Sequence, residues 1–201
     1  MSRHKRRMFA GLVLPFVMLA SLLVATSQPA QAFNYIGCKW SGTSAKFYVT
    51  NNDAPDTNFN NARDDWNTRT NQFTLIRTTT AADRDFKART SNLGVTGWSG
   101  KWHKDGNTGA TPSCSGGKWV SKDGVVTVNN FYNSGSSQNR RGVAVHEFGH
   151  TLGLAHNDLT QACGGAQGYI SIMYFSDDRF NGPCAIFVPS NDDLMGIDQF
   201  Y

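Results

Sequence analysis

The chain has 201 residues, with 19 Lys and Arg against 15 Asp and Glu, a formal charge of +4. Arg3, Lys5, Arg6 and Arg7 account for that entire excess, so the rest of the chain is charge-balanced. The balance excludes a function carried by net positive charge, such as binding nucleic acid or a membrane surface.

The first 32 residues read as a secretory signal. After the basic start comes an apolar run, Phe9 to Ala25, broken by Gly11, Pro15 and Ser21. It is too short and interrupted for a membrane span, and Ala30-Gln31-Ala32 supplies the small residues of a cleavage site. Arg6-Arg7-Met8-Phe9 loosely matches a twin-arginine signal, but ordinary export is the favoured reading. The expectation is an extracellular, monomeric domain from Phe33 to Tyr201, roughly 170 residues, enough for one core. Cys38, Cys114, Cys163 and Cys184 all fall in this part. Two disulfides are the expectation in an oxidising compartment. Four cysteines allow three pairings; proximity in sequence favours Cys163 with Cys184, leaving Cys38 with Cys114. No C-x-x-C spacing supports a cysteine zinc site.

In chain order, Lys46 to Thr50 reads as a strand with Phe47 and Val49 on one face. Pro55-Asp56-Thr57 opens a helix in which Phe59, Ala62 and Trp66 share a face. Phe73 to Arg77 and Asp85 to Thr90 read as further strands. Gly94 to Gly117, rich in Gly, Ser and Thr, reads as a loop pinned by Trp98 and Trp102. Val125 to Val128 is a strand, and Gly142 to Leu152 lies in a second helix. Gly164 to Pro189 reads as mostly irregular. Asn191 to Tyr201 reads as a short helix capped by Ser190 or Asn191. There Asp192 and Asp193 suit the positive helix end, with Leu194 and Ile197 inward. One sheet with helices packed on it makes an α+β fold.

The second helix carries the chemistry. Val145-His146-Glu147-Phe148-Gly149-His150-Thr151-Leu152-Gly153-Leu154-Ala155-His156 holds three of the five histidines. It also holds the chain's one glutamate. His146 and His150 lie about 40° apart on a helical wheel, one turn from each other. That spacing lets both imidazoles bind one Zn²⁺. Ala144, Val145, Phe148 and Leu152 gather opposite, toward the sheet. Glu147 sits on the flank, about 60° from His150, badly placed as a ligand but well placed as a general base. Gly153 ends the helix in a backbone conformation glycine adopts freely, so His156 swings back as third ligand. Three protein ligands leave a position for water, the mark of a catalytic zinc site. A chance match to five such positions is on the order of 10⁻⁵. His103 lacks this spacing and reads as a core or surface residue.

These residues resemble the signature HExxHxxGxxH of the metzincins, secreted zinc endopeptidases. Ser171-Ile172-Met173-Tyr174 is similar to the family's methionine turn, which implies that Met173 supports the metal site from below without ligating. Tyr after Met, and the ending Asp192-Asp193-Leu194-Met195-Gly196-Ile197-Asp198-Gln199-Phe200-Tyr201, resemble the matrixin branch. The resemblance implies a twisted, mostly parallel sheet with an antiparallel edge strand, two long helices and a short C-terminal helix. It implies one catalytic zinc and a polypeptide substrate paired with an edge strand, for which Val125 to Asn129 is the candidate. Asn157 after the third histidine departs from the branch, as does the insert containing Cys163. No histidines suit a second, structural zinc; Ca²⁺ could bind through loop aspartates and carbonyls, but the sequence gives no compact site. Two alternatives stand beside the endopeptidase: a secreted zinc amidase acting on cell-wall or other non-protein amides, and a non-catalytic binding protein. Intact Glu147 argues against the latter. Export with cleavage after Ala32 makes Phe33 the first residue, which N-terminal sequencing of the protein recovered outside the cell checks directly.

Overall fold

Alternation along the first strand and helical spacing along the first helix aim apolar side chains at a common layer. Ala45 and Phe47 are buried on β1 (Ser44–Val49), and Phe59, Ala62 and Trp66 on α1 (Thr57–Asn67). The computed structural model describes residues 33–50, 53–157, 171–180 and 185–201. The signal segment, Cys163 and Cys184, with the pairing expected between them, lie outside the described residues.

The order continues with β2 (Thr74–Thr78), β3 (Phe86–Ser91), β4 (Gly100–Lys104), β5 (Cys114–Ser115), β6 (Lys118–Trp119) and β7 (Gly124–Asn129). Then come α2 (Asn130–Asn133), α3 (Ser137–Thr151) and α4 (Asn191–Phe200). The sheet runs β2-β1-β3-β7-β4. Its first three pairings are parallel, and β4 pairs antiparallel with β7. This is the α+β fold with a mostly parallel sheet and an antiparallel edge strand. Among the described helices none is long and apolar enough to cross a membrane.

Two expectations need correction. The segment from Gly94 to Gly117 is not all loop, since it contains β4. Glycine and two lysines hide the strand in sequence, yet Trp102 and His103 are both buried. His103 is a core residue, its Nδ1–H donating to the Lys104 carbonyl at 2.8 Å and its Nε2 2.8 Å from the Thr127 hydroxyl. Val125 to Asn129 is not the edge. All six residues of β7 are buried, and the strand is paired on both sides. A continuous apolar run marks an interior strand, whereas charged residues such as Lys101 and Lys104 mark an edge.

Asp56 opens α1 without capping it; its carboxylate instead takes Arg77 at 2.7 Å. Ser136 and Ser190 do cap, accepting from the backbone of Asn139 and Asp193. Cys38 and Cys114 form a disulfide across 76 residues, tying the N-terminal segment to β5. The Tyr201 hydroxyl accepts from the Trp40 backbone at 3.0 Å and donates to the Leu152 carbonyl at 3.3 Å, so the C-terminus closes over the end of α3.

The core sits between sheet and helices. Phe148 of α3 is fully buried, its ring centroid 5.1 Å from Phe47, 6.0 Å from Phe59 and 5.8 Å from Phe86. Packing on that ring holds α3 against the sheet. Phe148→Ala is expected to cost about 3–5 kcal/mol of stability, read from urea unfolding.

Candidate metal centre

The two ends of the histidine motif are set by different physics. His146 and His150 share a face of α3 by helical spacing alone. His156 depends on how α3 stops. Gly153 has φ +100°, its N–H donates to His150 O at 3.1 Å, and the Leu154 N–H donates to Gly149 O at 3.0 Å. This double bond pattern is a glycine-ended helix terminus that reverses the chain. A Cβ at residue 153 would also lie 2.8 Å from the Cys38 carbonyl oxygen. The returning strand is gripped on both sides of His156. Ala155 N–H donates to Asn34 O at 2.8 Å, Asn34 Nδ2 donates to His156 O at 2.8 Å, and Asn157 N–H donates to Met173 O at 2.9 Å.

The three imidazoles converge. His156 Nε2 lies 3.2 Å from His146 Nε2 and 3.1 Å from His150 Nε2. The opposite nitrogens explain the orientation. His146 Nδ1 lies 2.7 Å from Ile172 O, and His150 Nδ1 lies 2.8 Å from Leu154 O. A carbonyl only accepts, so each Nδ1 carries the proton and each Nε2 presents a lone pair to the centre. Burial drives both rings to the neutral form, His150 down to about 3 and His146 well below the ordinary imidazole range. Neutral, oriented nitrogens around a common point are the donor set of a zinc ion, and the residues present fit one. Among the described residues this is the one cluster of three such groups, so the loop-aspartate calcium site gains no support.

Glu147 is buried and points to the same cleft, its Oε1 4.0 Å from His146 Nε2. Burial raises its carboxyl to about 8, while Arg179, the Trp102 backbone N–H and Lys101 act in the opposite sense. A cation in the triad acts with Arg179, favouring the carboxylate. Strand β4 reaches Glu147 because residue 100 is glycine; a Cβ there would lie 2.6 Å from Oε1 and 2.4 Å from Val143. The cleft encloses about 1000 Å³ between Gly97–Trp102 on one side and Phe175, Ser176, Asp177 and Arg179 on the other.

Met173 is buried beneath the histidine helix, its sulfur packed on Gly149 between the two helical ligands. Its turn is held by a residue the sequence reading treated only as a helix-end charge. Buried Asp193 accepts from the Ser171 hydroxyl at 2.5 Å and the Ile172 N–H at 3.0 Å. It also accepts from the Ser190 backbone and hydroxyl, both at 2.7 Å. Asp193 therefore joins the cap of α4 to the turn whose Ile172 carbonyl orients His146. The Asp-Asp pair was the visible signal, but only folding brings it to Ser171. Arg179 and Gly100 carried no signal that sequence reasoning could use.

The sequence pattern of the Matrixin family matches residues 39–201. No curated protein sequence matches this chain. Among solved structures, a chain of the GM1-bound form of the ECX AB5 holotoxin is similar in fold, with a TM-score of 0.52 and 14% identity over 79% of this chain and 80% of that one. Two structures of myroilysin align less closely. One has a TM-score of 0.49 and 13% identity over 84% of this chain and 98% of that one. The other has a TM-score of 0.46 and 14% identity over 81% and 85%.

Removing the Asp193 carboxylate frees the turn that orients His146. Asp193→Ala is expected to weaken zinc affinity by about tenfold, measured by competition with a chelating dye, and to lower the melting temperature.

Proposed function

The chain belongs to the matrixin family of zinc metallopeptidases, and from that premise we propose an exported endopeptidase. In it Phe33 to Tyr201 is the catalytic unit, His146, His150 and His156 hold the zinc, and Glu147 is the general base. The observation that carries this reading is the placement of Glu147. A buried carboxylate lies beside the nitrogens that would hold the metal, open to the same cleft and steadied by the Trp102 N–H.

A zinc ion held by the three histidines would supply Lewis acidity, polarising the substrate carbonyl and lowering the pKa of a water. Glu147 accepts the proton of the water that attacks the carbonyl carbon and returns it to the departing amine nitrogen. The outer edge of β4 lines the cleft, and an extended polypeptide pairs with its backbone there. Pairing of this kind reads main chain and so suits a polypeptide substrate bound by a monomer. Met173 and Asp193 keep the ligands oriented and touch no reacting atom.

Glu147→Gln keeps the size of the side chain and the three histidines but loses the base. Casein cleavage by the zinc-loaded protein is expected to fall in kcat by about 10²-fold or more in this variant. A chelator is expected to abolish cleavage by the wild type. A folded, zinc-loaded wild type that leaves casein intact overturns the endopeptidase reading.

A further inference from the structure

The cleft holds a buried charge that the proton transfer leaves unused. Arg179 is 5% exposed and lines the cleft on the side opposite β4. Its Nη1 donates to the carbonyls of Tyr174 and Ser176, both at 2.7 Å, and its guanidinium lies 4.3 Å from the Phe180 ring centroid. Those contacts use one nitrogen of three. Among the described residues the buried Nε has no hydrogen-bond partner, and Nη2 makes an ion pair with Asp177 Oδ1 at 3.6 Å, too long for a hydrogen bond. Burial lowers the group only to about 10, so it stays cationic. Asp177 does not neutralise it fully. Its side chain is 51% exposed, and its Oδ2 accepts the Ser99 hydroxyl across the cleft.

Among the described residues, the charges lining the cleft are Lys101 and Arg179 against Glu147 and Asp177. They cancel, so a dication in the triad leaves the cleft positive. A buried guanidinium with spare donors is stabilised by an incoming carboxylate, which forms stronger hydrogen bonds than an amide. Arg179 and Glu147 line the same cleft, so a carboxylate that reaches the guanidinium sits on a substrate residue close to the scissile bond.

We propose that Arg179 is a specificity-determining residue that favours substrates with a carboxylate side chain, Asp or Glu, on a residue next to the scissile bond. This assignment rests on the endopeptidase reading.

The test uses two pairs of peptides blocked at both ends, each pair identical except for Glu or Gln, one pair varied just before and the other just after the scissile bond, so any preference belongs to the side chain. Wild-type, zinc-loaded protein is expected to favour Glu by about tenfold in kcat/KM in one of the pairs, with the cleavage position read by mass spectrometry. Arg179→Gln is expected to bring the ratio to about one, and Arg179→Lys to keep part of it, since charge survives without the planar fork. In chelator, where no turnover occurs, the change in tryptophan fluorescence on peptide addition, with Trp98 and Trp102 lining the cleft, is expected to report tighter binding of the Glu peptide, a difference lost in Arg179→Gln. A wild-type ratio at or below one in both pairs overturns the proposal, and so does a ratio unchanged in Arg179→Gln. Should that variant not fold, the wild-type ratio and Arg179→Lys decide. Casein cut without acidic preference sinks the specificity assignment alone. Failure to cut casein or any of the peptides sinks the endopeptidase reading beneath it.

Discussion

Three imidazole nitrogens facing one point is an arrangement that a protein does not adopt for its own stability. With Nδ1 of His146 and His150 bound to carbonyls, their Nε2 lone pairs meet His156 Nε2 at 3.2 and 3.1 Å. One shared proton cannot satisfy all three. A divalent cation can, because it accepts every lone pair at once. The rest of the centre makes sense as support for that geometry: burial that keeps the rings neutral, carbonyls that orient them, and a chain reversal that delivers the third.

Support reaches the ligands through backbone more than through side chains. Ile172 and Leu154 orient His146 and His150 through their carbonyls, and Asn34 and Met173 clamp the strand carrying His156. Asp193 is the exception. It accepts four hydrogen bonds while buried, and in doing so locks the cap of α4 to the turn beneath the helix. A carboxylate that deep is tolerated because donors surround it. The C-terminal helix is therefore part of the metal site's scaffold although none of its residues faces the cleft. Tyr201 extends the same logic, tying the chain end to Leu152 where α3 stops.

The two walls of the cleft differ in kind. One is the edge of the sheet, where β4 approaches Glu147 closely enough to require glycine at position 100. The other follows the methionine turn and offers side chains: Phe175, 56% exposed, and the buried charge of Arg179. The Ser99–Asp177 hydrogen bond joins the two walls.

The sequence by itself determined what depends on local periodicity and on chemistry within one segment. Helical spacing placed His146, Glu147 and His150, Gly153 marked the reversal that brings back His156, alternation marked β1, and a run of β-branched residues marked β7. Capping at Ser190 and the family resemblance were legible for the same reason, since each lies in a few adjacent residues. Tertiary structure decided whatever depends on neighbours distant in sequence. Whether Val125 to Asn129 is an edge or an interior strand depends on β4, whose Gly-Lys-Trp-His-Lys pattern does not announce a strand until β7 is there to pair with it. Asp193 looks like a helix-end charge until folding carries it to Ser171, 22 residues away. Arg179 looks like a surface cation until the chain buries it in the wall of the cleft that Glu147 also lines. Long-range pairing and burial are properties of the assembled fold, and a one-dimensional pattern records them only where they repeat at the period of a helix or a strand.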